Sequence, residues 1–145
     1  MDKSMKYTKY TNEKVEIKVS KKIAKAKIKK FDLGKLKDYK PKQSKFKPHR
    51  LVINFGVVDE DDPENILKEF DPPIEVKIHY RAKDLKKAQK EEKPLRLAYW
   101  NGDDWEYFTE EKHDFRLEAD PDEKKGGFGY VKITKWGDPP LGWGV

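Results

Sequence analysis

The chain has no cysteine, so disulfides, thiol nucleophiles and cysteine-ligated zinc are excluded. Serine stands only at Ser4, Ser20 and Ser44 and histidine only at His49, His79 and His113. No nucleophile-elbow sequence surrounds Ser44, and the histidines lack HxH or HExxH spacing. No catalytic, cofactor or metal site is therefore expected, and no small-molecule substrate. Arginine is also scarce, with Arg50, Arg81, Arg96 and Arg116 against a large excess of lysine. That Lys/Glu-rich composition resembles a thermophile surface. No stretch approaches the ~18 apolar residues of a membrane span, and MDKSMKYTKYTNEK has no apolar leader core. As written the chain reads as cytoplasmic, or extracellular if a leader has been removed.

What remains is charged and aromatic. Of 145 residues, 41% are charged and only 35% hydrophobic, below the roughly 45–50% of an average domain, so the core must be economical. Aromatics at 12%, including four Trp, argue against a wholly disordered chain. The length suits one domain. Residues 1–50 hold 17 Lys and one Arg against five acids, a formal +13; the other 95 residues hold 15 bases against 22 acids, −7. This basic N-terminal segment invites three readings: neutralisation within its own fold, association with the acidic part of another copy, or nonspecific polyanion binding. Lys25, Lys27, Lys29 and Lys30 are the candidate contacts for a polyanion such as nucleic acid. Without arginine forks, sequence-specific reading is not expected.

Period-2 alternation dominates the chain. VEIKVS (15–20), IAKAKIKKF (23–31, with Ala24, Ala26 and Ile28 alternating with lysines) and LVINFGVV (51–58) read as strands. So do DPPIEVKIHY (71–80), LRLAYW (95–100), WEYF (105–108), DFRLEA (114–119) and FGYVKITKW (128–136). Residues 32–49, with Gly34, Pro41 and Pro48, read as a loop; RAKDLKKAQKEEK (81–93) is the one helical composition, closed by Pro94. Trp136 and Trp143 flank DPPLG and read as anchors for the tail. About eight strands and one short helix predict an antiparallel, immunoglobulin-like β-sandwich, with residues 1–50 attached to a body of residues 51–145. The acidic turns Asp59–Asp62 and Asp120, Asp122 and Glu123 lack EF-hand spacing and read as solvated turns.

Register decides what the aromatic hairpin 95–108 does. A three-residue loop, Asn101 to Asp103, pairs Tyr99 with Trp105 and puts Leu95, Leu97, Tyr99, Trp105 and Tyr107 on the core face. Pairing Trp100 with Trp105 instead sets Glu106 opposite Tyr99 on the inner face, where a carboxylate is costly, so the first register is expected. It leaves Trp100, Phe108 and Arg96 on the outer face as candidate contacts for a protein partner or a glycan.

The positions Phe70, Pro72, Pro73, Ile74, Val76, Ile78, Tyr80, Asp84, Leu85, Leu95, Leu97, Tyr99, Trp100, Asn101, Gly102 and Trp105 carry a resemblance. They are similar to ZU5-like, immunoglobulin-like sandwich modules of prokaryotic multidomain surface proteins, over residues 51–136. The resemblance implies a non-catalytic spacer or interaction domain.

Overall fold

The computed structural model describes residues 7–12, 14–23, 25–137 and 139–145; Ser4 and Ala24, and the side chain of Glu123, lie outside the described residues. The expected alternation is realised as two antiparallel sheets packed on one core. The first carries β1 (Tyr7–Thr11), β2 (Val15–Ser20), β6 (Glu69–Tyr80), β9 (Arg116–Ala119) and β10 (Gly127–Lys135), in the order β1-β2-β6-β10-β9. The second is built from β3 (Ala26–Lys30), β4 (Pro48–Asp59), β7 (Arg96–Trp100), β8 (Trp105–Tyr107) and β11 (Pro140–Gly144), in the order β3-β4-β11-β7-β8, with β5 (Ile66–Leu67) paired to β4. Helix α1 (Ala82–Lys90) joins β6 to β7, and a single helical turn, α2 (Glu110–His113), precedes β9.

The core follows from the two-residue period. Val15, Ile17 and Val19 of β2, and Ile74, Val76, Ile78 and Tyr80 of β6, point inward to meet Ile53, Phe55 and Val57 of β4 and Leu97 of β7. Their partners in sequence face water as a ladder of opposite charges: Lys18 pairs with Glu75, Glu16 with Lys77, and Glu75 with Lys132. Trp143 on β11 fits because Gly129 stands across from it; a Cβ there would lie 2.5 Å from the Trp143 ring. Its indole donates to the His79 carbonyl at 3.0 Å, and the Trp136 indole to the Phe55 carbonyl at 2.9 Å. Both anchors are buried.

At the open end of the sandwich, buried Asp84 is gripped by Arg50 (2.7–3.1 Å) and Arg81, and accepts the Arg81 backbone N–H at 2.8 Å. Burial alone would raise its pKa. The two guanidinium groups and the backbone donor outweigh that and hold it well below the usual carboxylate range. This ties β4, the last residue before α1, and the first turn of α1 together.

The sandwich has more strands than expected, and one expectation, the hairpin register, fails. Eleven strands are found among the described residues, against about eight expected. YTKYT is a strand because β2 offers it an edge, and the tail that Trp136 and Trp143 anchor is itself a strand: β11 lies between β4 and β7 with every residue buried. Its prolines open the strand, Pro139 lying before it and Pro140 being its first residue. The hairpin adopts the disfavoured register, with Trp100 opposite Trp105, Tyr99 opposite Glu106 and Ala98 opposite Tyr107. Because β8 is the sheet's edge strand, Glu106 reaches water from the inner side, so the expected desolvation cost does not arise.

Candidate functional site

The register change exchanges the hairpin's faces. Phe108 becomes a core residue, fully buried, stacked on Trp136 (ring centroids 6.0 Å) and packed on Tyr99 (4.9 Å). It is therefore not a contact residue. Trp105 and Tyr107 move to the outer face with Ala98. Water does not reach Trp105, because residues 36–47 lie across that face.

This cover is held by ordinary chemistry. Phe46 inserts against Trp105 (5.2 Å) and Tyr107 (5.5 Å), and the Trp105 indole donates to the Tyr39 carbonyl at 2.6 Å. Asp104, at the hairpin loop, accepts the backbone N–H groups of Lys42 (3.1 Å), Gln43 (2.7 Å), Ser44 (2.9 Å) and Trp105 (2.8 Å). Those donors, that of Gln43 foremost, lower its pKa to about 2. Asn101 closes the loop by accepting from the N–H groups of Asp103 and Asp104.

Trp100 is half-buried. Tyr39 packs edge-on against it at 5.4 Å and Trp105 at 5.8 Å, while the rest of the ring borders a groove of about 630 Å³. That lies within the roughly 300–1,000 Å³ of ligand clefts. Four distant segments build the walls: Tyr39 from the cover, Asn54 from β4, Lys68 and Glu69 at the start of β6, and Trp136, Gly137, Pro139 and Pro140 on the approach to β11. Tyr99 also borders it, its hydroxyl pKa pushed up to about 12 by burial and by Glu106. Asn54 carries a specific demand. Its amide N–H donates to the Asp32 carbonyl at 3.1 Å, which fixes the amide's orientation and leaves Oδ1 buried with no partner among the described residues.

The sequence candidates are not brought together. Arg96, at the other end of β7 from Trp100, lies over the Tyr107 ring (4.1 Å) and donates to the Phe108 carbonyl at 3.4 Å, outside the groove. Lys25 is paired with Asp61, and Lys27, Lys29 and Lys30 are exposed on edge strand β3. None of the four lines the groove, and the Lys29 ammonium lies over the Phe31 ring at 5.3 Å. Lys29 pairs with Gly56 of β4, two residues from Asn54 on the same face.

Four cations of the basic segment meet acids of the body, in Lys25–Asp61, Lys42–Asp103, Lys47–Glu91 and Arg50–Asp84. The acidic turns serve their own backbone: Asp59 accepts from the N–H of Asp61, and Asp120 from that of Asp122. Among the described residues, no helix is long and apolar enough to cross a membrane. Tyr39, Asn54, Lys68 and Lys135 carried no local signal, since only the tertiary fold gathers them. Comparison with family models, curated proteins and solved structures finds no match.

Proposed function

We propose that the chain is a non-catalytic β-sandwich recognition module whose binding surface is the groove beside Trp100. One observation carries this reading: a half-exposed indole, edge-braced by Tyr39 and Trp105, borders a concave site of about 630 Å³. Bracing fixes the ring in advance, so little side-chain entropy is lost when a flat ligand face settles on it. Four pairs between the basic segment and the body hold part of that charge within the fold, and the braced ring beside a concave site makes the groove the preferred surface over self-association by opposed charges.

The same proposal extends to kinship with ZU5-like, immunoglobulin-like modules. It is supported by the way the resembling positions fall on one continuous unit, β6, α1 and the β7–β8 hairpin. Titrating the protein with glycan and peptide libraries while following tryptophan fluorescence tests the groove. Binding that disappears in Trp100→Ala supports it, and binding indifferent to Trp100 would remove it. Sedimentation at low and high salt tests the other reading, since a monomer at both would end self-association.

A further inference from the structure

We infer that the ligand of this groove is an anionic oligosaccharide, a pyranose chain bearing carboxylate or sulfate groups; this rests on the groove being the binding surface. The floor asks for a saccharide. Trp100 offers an apolar ring surface to the C–H face of a sugar. Asn101 at the loop tip adds an amide within reach of hydroxyls.

The rim supplies the charge. Lys68 and Lys135 line the groove, and Glu69 is the single acid there, set opposite Lys135 across the β6–β10 ladder. Lys29 comes from the far side. It pairs with Gly56, while Lys68 follows Leu67, the partner of the neighbouring Val57. The two lysines thus flank a residue with no side chain, about 10 Å apart by strand spacing. Among the described residues, none of Lys29, Lys68 and Lys135 is in an ion pair. Lys68 and Lys135 line the groove itself, while the Lys29 ammonium lies over the Phe31 ring, 5.3 Å from its centroid.

A single-stranded nucleic acid would also use a ring and lysines. It is less well matched, because no arginine lines the groove to fork a phosphate, and one half-buried ring gives a single stacking platform where a strand uses a series of them. The test titrates the full chain with four probes: an oligogalacturonate, a sulfated chondroitin oligosaccharide, a neutral cello-oligosaccharide and a single-stranded oligodeoxynucleotide. The expected result is that one or both acidic glycans bind about tenfold more tightly than the neutral chain at low salt. Lys29→Gln with Lys68→Gln should erase that preference at unchanged Tm, and Trp100→Ala should abolish binding. The two acidic probes separate carboxylate from sulfate recognition. Equal binding of the neutral chain overturns the anionic class but leaves the groove standing, and Trp100-dependent preference for the oligonucleotide overturns the saccharide class while leaving the groove standing. Binding of none of the four overturns the saccharide class, while loss of Trp100 dependence in every library overturns the groove itself.

Discussion

The two sheets treat their outer faces in opposite ways. The five-stranded sheet leaves its face bare, a cross-strand ladder of Lys and Glu with Phe128 and Tyr130 half-buried under Lys77 (4.2 and 5.8 Å) and Arg116 (4.6 Å from Tyr130). The six-stranded sheet presents Trp105, Tyr107 and Ala98 outward and must be covered, by residues 36–47. Alternation alone decides only that one face is inner. The chemistry of the other face decides whether water or more chain lies on it, and in this protein the covered face ends in the larger, ring-lined groove of about 630 Å³, against about 250 Å³ for the charged groove on the bare face.

Substitutions can break that comparison. Phe46→Ala should cost about 3–5 kcal/mol in denaturant unfolding, as for a core aromatic, while Tyr130→Ala on the bare face should change stability by less than about 0.5 kcal/mol. Equal losses would mean that the cover is not a second core. Asp84→Ala strands Arg50 and Arg81 at the sandwich's end and should cost about 3 kcal/mol, with the loss larger than in the double replacement Asp84→Ala, Arg50→Met.

Stability against pH sharpens the contrast further. Burial lowers the pKa of His49 and of His113, helped at His49 by Lys87 against the opposing pull of Glu91. In acid the unfolded chain takes up these protons first. Stability is therefore full above about pH 6.5 and falls as the pH drops toward the depressed folded values. Asp84, with its lowered pKa, adds a second loss starting below about pH 4. Chemical denaturation across pH 3–8 should show both phases, and His49→Gln should flatten the upper one. The smallest effect is local: in Asp104→Ala the amides of Lys42, Gln43 and Ser44 should exchange faster, with the amides of β6 unchanged.

Sequence alternation made β2, β4, β6 and β10 legible, since each has one apolar face over at least three residues. It failed where a neighbour decides. YTKYT becomes a strand through pairing with β2, and PLGWG is buried on both sides because strands flank it. The hairpin register was misjudged because a penalty for Glu106 assumes an interior position, and an edge strand has none. Of the groove, Trp100 was legible as a ring needing an explanation and Lys29 as one of several lysines. Tyr39 stood in a stretch read as loop, and Asn54 looks like any outward strand residue.

Within the six-stranded sheet β11 has a further consequence, for timing. It is the strand that joins β4 to β7. On a ribosome, β3, β4 and β5 and then β7 and β8 are made before residues 140–144, which must slot between them to join the sheet. The groove borders that same approach at Pro139 and Pro140, so the site is finished only once β11 is in place.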